Sequence, residues 1–388
     1  MEKNAFEIQF IEIKSNAEWK SVLISAKEEN KLIFADAYTD WCGWCKELDE
    51  KVYTDADLAD YFNENFINVK FDAESDFGSI LAERMLISAF PTLLFLTPEG
   101  NNFEKIEGFV QIEELQAYAD QSLANWQIWP GLAEKEKSGT LNQEDYLSLI
   151  AIKEKMAPIE AADLASEYIA NLSDEDYQEI ENLWLLSRYE NTLDGAPYLF
   201  ISNNKEDIIK WHGDSEYYNY VSSVYNDNLN LAIKYGDKDL MERIVKEVLP
   251  EIVDKDVMPR AIYTTRSIYY SQRQEFEKYH MEVNTYLNNH LSNESKIPFI
   301  LSTSYEILET HPIPENFAFL DRLLNLGLSL NKESFEVTSL LGYVMALREN
   351  YTKANELLDT ASKLASDDEE KDMVASLREA VEYLRKGN

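Results

Sequence analysis

The chain reads as an α/β layer fold with a central sheet over residues 1–125, followed by an all-α region of helical hairpins over 126–388. Three observations predict this. Strand-like and helix-like segments alternate up to about residue 125, the signature of a layered α/β unit. No convincing strand run follows about Trp129, and helical apolar periodicity recurs from there to the end. A length of 388 residues is too long for one ordinary core, and 45% hydrophobic and 12% aromatic residues suffice for two.

"AFEIQFIEI" alternates as a strand does, and "SNAEWKSVLISAKEEN" reads as a helix with Ser15 as N-cap. "KLIFADAY" is a nearly continuous apolar run, the mark of a strand covered on both faces. A helix follows from "WCGWCK" and is re-capped around "TDADLADYFNEN", where Thr54 and Asp57 stand at capping-box spacing. "FINVKFD" is a strand, "DFGSILAERML" a helix, and "PTLLFLT" a strand. "PEG" turns the chain, "NFEKIEGF" is a last strand, and "QIEELQAYADQSL" a closing helix, giving β-α-β-α-β-α-β-β-α.

Beyond Trp129, Leu240, Met241, Ile244, Val245, Val248 and Leu249 mark one helix face. Val337, Leu340, Leu341, Val344 and Leu347 mark another, and Tyr351, Ala354, Leu357, Leu358, Ala361 and Leu364 a third. The best unit, 337–365, resembles a tetratricopeptide repeat, with Leu341, Gly342, Ala354, Leu358 and Ala361 at that family's packing positions. Small residues there let paired helices approach closely. The resemblance implies stacked hairpins, with an irregular bundle as the alternative.

A net charge of −36 argues against nucleic acid or an anionic membrane surface as partner, since both need a basic patch. No apolar run approaches a membrane span, so no membrane insertion is expected. The opening "MEKNAFEIQF" has no basic-then-apolar leader, which reads as cytoplasmic, or periplasmic if a leader has been removed.

The chemistry concentrates in "YTDWCGWCKELDEKVY", which holds both cysteines. A Cys-x-x-Cys where a strand gives way to a helix puts Cys42 at the helix N-terminus, where free N–H groups and the dipole stabilise a thiolate. That thiolate attacks a disulfide, and Cys45, one turn later, resolves the mixed disulfide. Lys46 adds a nearby cation. The rivals are a zinc site and two inert buried thiols. Zinc needs four ligands, and the four histidines (His212, His280, His290, His311) lie far along the chain without i, i+4 spacing. A redox couple is the reading, with no metal and no cofactor beyond the redox-active disulfide.

Asp36 sits inside the apolar strand with Phe34 and Tyr38 on its face, so burial should raise its pKa and suit it to proton transfer; the alternative is a charge at a frayed strand edge. Lys70, in the next strand, is its candidate partner. Pro91 opens a strand, where it cannot donate to a ladder, and a cis Phe90–Pro91 bond would turn backbone groups towards an extended peptide. Gly108 ends the next strand, a place where backbone can come close to a ligand. Trp41, Trp44 and Phe90 complete the candidate peptide-binding surface.

The order of elements, Trp41-Cys42-Gly43-Trp44-Cys45-Lys46, Asp36, Lys70, Pro91-Thr92 and Gly108 together resemble the thioredoxin family over residues 1–125. "ADAYTDWCGWCKELDEKVYTDADLADYF" is similar to the branch that includes the periplasmic reducing domain of transmembrane thiol:disulfide interchange proteins. The resemblance implies a thioredoxin-like fold and a thiol:disulfide oxidoreductase with Cys42 nucleophilic, Cys45 resolving, Asp36 the buried base and Pro91 cis. Gly43-Trp44 replaces the Gly-Pro of thioredoxin itself, Tyr38 replaces the usual tryptophan, and the mid-helix proline is missing. The expected partners are disulfide- or thiol-bearing protein clients, selected by the helical region, and an electron donor or acceptor. The competing expectations are an interaction scaffold with little turnover and a disulfide isomerase or chaperone.

Overall fold

The computed structural model describes residues 7–386. Two compact units divide the chain, Met1–Leu185 and Leu186–Asn388. The expected division at 125/126 falls instead inside a helix.

In the first unit β1 (Ile11–Glu12) is a short edge strand, and Ala5 and Phe6 of the expected first strand lie outside the described residues. Helix α1 (Asn16–Glu29) starts as expected, with Ser15 Oγ accepting the Glu18 N–H. Strand β2 (Ile33–Tyr38) is buried along nearly its whole length. Helix α2 (Gly43–Lys51) carries the cysteines and gives way to α3 (Ala56–Asn65), then β3 (Ile67–Asp72), α4 (Gly78–Arg84), β4 (Thr92–Leu96) and β5 (Asn102–Glu107). The cap of α3 differs from the expected Thr54–Asp57 box: Asp55 Oδ1 accepts the Leu58 N–H, and Thr54 Oγ1 donates back to the Glu50 carbonyl. A carboxylate one position on caps equally well, so the hydroxyl closes the preceding turn instead.

The sheet order is β1-β3-β2-β4-β5. β1–β3 and β3–β2 pair in parallel, β2–β4 and β4–β5 antiparallel. Alternation along the strands separates two cores. Ile33, Ala35, Ala37, Val69, Phe71, Leu94 and Leu96 pack with Trp19 and Val22 of α1 and Leu81 of α4. On the other face Phe34 and Phe95 meet Phe62 of α3 at ring-centroid distances of 4.7 and 6.3 Å.

The closing helix α5 (Ile112–Ser138) does not stop near residue 123. It runs through Pro130, giving up one helical hydrogen bond, to a left-handed cap at Gly139. Trp126 packs edge-on against Phe103 of β5, with centroids 5.8 Å apart. Helices α6 (Gln143–Met156) and α7 (Pro158–Ile169) come next, and α6 lies on β5, where Lys155 pairs with the buried Glu104.

Among the described residues of the second unit, all regular secondary structure is helical. Its later helices pair in sequence: Met258–Gln272 with Phe276–Asn289, Asn293–Thr310 with Pro314–Leu330, and Phe335–Leu347 with Tyr351–Leu364. Helices two apart also touch, as stacked hairpins require. In the expected repeat, Leu341, Gly342, Ala354, Leu358 and Ala361 are all buried. The expected face over 240–249 is interrupted: a wide π turn, Ile244–Val248, precedes Pro250, whose ring would strike the carbonyl four residues back in a regular helix.

Candidate functional site

Strand β2 ends at Tyr38, and three residues bring the chain to Cys42, the N-cap of α2. There Cys42 Sγ accepts the Cys45 N–H at 3.1 Å, as a capping oxygen would. Cys42 and Cys45 form a disulfide with their Cα atoms 5.4 Å apart. Both are 3% exposed, whereas the neighbouring Trp41 and Trp44 are 67% and 61% exposed. The sulfurs therefore sit flush in a surface made by exposed indoles.

Two aromatic pairs flank them. Trp41 meets Phe90 edge-on at 6.1 Å, and its indole N–H donates to Glu74 Oε1 at 3.0 Å. Trp44 meets Phe109 at 5.5 Å. Phe90–Pro91 is cis, and the Pro91 carbonyl accepts the Gly108 N–H at 2.8 Å. Gly108 has φ +94°, a conformation costly for any side-chain-bearing residue. The structure thus joins Trp41, Trp44, Phe90, Pro91 and Gly108 to the cysteine pair in one patch.

Asp36 lies on the opposite face of β2 from the aliphatic core, under α2 and α3, and is fully buried. It is in register with Lys70 of β3, whose Nζ is 3.2 Å from Oδ2. Burial pushes the Asp36 carboxyl up to about 6, against the pull of Lys70. Burial works against the Lys70 charge too, but Asp36 and Asp49 outweigh it and hold the ammonium above its usual range. The Tyr53 phenol, buried nearby, is pushed up by burial and by the charges of Asp36 and Asp49. Lys70 also lies 4.9 Å from the centre of the Tyr38 ring.

Asp49 and Phe109 escaped sequence reasoning. Asp49 stands four residues after Cys45, hence on the same helix face, and pairs with Lys70; that spacing was the available signal. Phe109 comes directly after the glycine already singled out, but its meeting with Trp44 is tertiary and left no local trace. Among the described residues, no group of three or more His, Cys, Asp or Glu could hold a metal, and no helix is long and apolar enough to cross a membrane.

Residues 19–123 match the thioredoxin-like domain family. The chain is 31% identical over 106 residues to the thiol:disulfide interchange protein DsbD of Pasteurella multocida, covering 26% of this chain and 18% of that protein. It is 29% identical over 99 residues to thioredoxin H2 of Arabidopsis thaliana, covering 25% of this chain and 68% of the relative. The crystal structure of thioredoxin NaTrxh from Nicotiana alata is similar at 30% identity, covering 30% of this chain and 94% of that one, with a TM-score of 0.25. The chain spans about a fifth of the length of the interchange proteins it matches. With a disulfide at a helix N-cap, a cis proline and a five-stranded mixed sheet, residues 19–123 are a thioredoxin-like domain.

Proposed function

We propose that this protein is a thiol:disulfide oxidoreductase acting on protein clients through Cys42 and Cys45. The observation that carries the reading is the Cys42–Cys45 disulfide at the N-cap of α2, set between two exposed tryptophans beside cis Pro91. In the reduced protein the Cys42 thiolate attacks one sulfur of a client disulfide, forming a mixed disulfide and releasing one client thiolate. The Cys45 thiolate then attacks Cys42 Sγ, closing the internal disulfide and releasing the second client thiolate. The client gains two electrons and the pair loses two, which a dithiol donor restores. The Cys45 N–H contact to Cys42 Sγ and the helix dipole favour thiolate at Cys42. Asp36, with its carboxyl up at about 6, is suited to take the Cys45 proton near neutral pH. The helical region is the proposed selector of clients, because stacked hairpins build extended binding surfaces.

Insulin reduction under dithiothreitol tests the reading, with Cys42→Ser as the blank. Turnover by the native chain alone is expected; an intact fold without turnover would favour the scaffold. Cys45→Ser removes the resolving thiol, so non-reducing gels of extract should show high-mass adducts that dithiothreitol dissolves. Their absence would count against protein clients.

A further inference from the structure

Away from the disulfide, the first unit carries an open cleft of about 390 Å³, within the range of small-molecule sites. Four separated segments build it. The end of α4 gives Arg84 and Met85, and the turn between β4 and β5 gives backbone and amides over 100–102. Trp129 comes from the continuation of α5, and Lys153, Met156 and Glu160 from the junction of α6 and α7. Half of this wall lies beyond residue 123, outside the stretch matching the thioredoxin-like domain.

Its surroundings are less acidic than the chain at large, where acids outnumber bases 72 to 36. Two cations and one carboxylate line it. The Lys153 side chain is 9% exposed and donates to Glu136 at 2.6 Å and to Glu160 at 3.0 Å. An ammonium has three N–H donors, so one remains. The two carboxylates outweigh burial and hold Lys153 protonated. Arg84 is exposed and makes no ion pair among the described residues. Its guanidinium fork therefore has donors to offer a carboxylate in the two-pronged geometry that group favours. Trp129, Met85 and Met156 supply a flat ring and two polarisable thioethers beside it.

We infer that this cleft binds a small organic carboxylate with a flat apolar body, its carboxylate on Arg84 and Lys153 and its body against Trp129 and the two methionines.

1-Naphthoate is the probe, titrated calorimetrically into the full chain, with the neutral 1-naphthamide alongside. One site per chain with Kd of about 1 mM or tighter is expected for a ligand of this size. Arg84→Gln should weaken it about tenfold or more, as should replacing the carboxylate by the amide. Arg84 is exposed, so an unchanged unfolding midpoint should accompany the loss. Trp129→Leu should weaken naphthoate and naphthamide alike, because it removes a wall and no charge. Absence of saturable binding, or naphthoate binding indifferent to Arg84→Gln, overturns the site; equal affinity for the amide overturns the carboxylate.

Discussion

Asp36 carries a carboxyl into the dry interior between β2 and α2, and that has a measurable cost. Its folded pKa, up at about 6, lies above the ordinary value of 3.8, so the folded state binds this proton more tightly than the unfolded chain does. The stabilisation by protonation is complete below about pH 3.8 and is lost as pH rises through 6. Above that, the buried charge costs on the order of 3 kcal/mol. Asp36→Asn should therefore gain stability over the native chain as pH rises from 4.5 to 7.5, read from urea unfolding of the oxidised proteins. A gap that stays constant with pH would mean that Asp36 does not titrate in this window. The same variant should slow insulin reduction near neutrality if Asp36 takes the Cys45 proton.

At the scale of elements, the hairpin Phe335–Leu347 with Tyr351–Leu364 depends on the absence of a side chain at Gly342. A Cβ there would sit 3.1 Å from Leu358 Cδ2 and 3.4 Å from the Ala354 carbonyl. Gly342→Val adds three carbons to a closed contact and should cost about 1–3 kcal/mol in thermal or urea unfolding. Leu358→Ala opens the space, so the double variant should recover part of the loss. This hairpin was legible because spacing and small residues act locally: Gly342, Ala354 and Ala361 announce close approach in sequence alone. The apolar run 31–38 likewise announced a doubly covered strand, and Cys42 to Cys45 a helix start. The features that stayed hidden were tertiary. Pro130-Gly131 is a local stop signal, yet Trp126 on Phe103 and the packing of α6 on β5 carry α5 through it. The cleft at Arg84 was illegible for the same reason, since its walls come from segments up to 76 residues apart.

For the whole molecule, the family domain and the compact unit are different lengths of chain. The match ends at residue 123, the unit at 185. A fragment ending at Leu185 keeps Lys155 on the buried Glu104 and Trp126 on Phe103, and should unfold cooperatively and reduce small disulfides. One ending at residue 125 strips α6 from β5 and Trp126 from Phe103, exposing apolar surface the longer fragment covers, and should melt several degrees lower or precipitate. Differential scanning calorimetry of the two fragments decides this; equal midpoints would make the helices after α5 passengers. The unbroken α5 has another consequence, an angular one. Each residue of a helix advances the chain by about 100° and 1.5 Å. Trp126 and Trp129 thus have fixed compass bearings set from Leu115 and Ala119, which anchor the start of the same rod. One alanine inserted between Leu123 and Trp126 would swing both indoles a quarter-turn off their targets, whereas one inserted at 140–141, between the rods, should be absorbed as slack. Evolution can lengthen or shorten this helix only in steps that respect its clock.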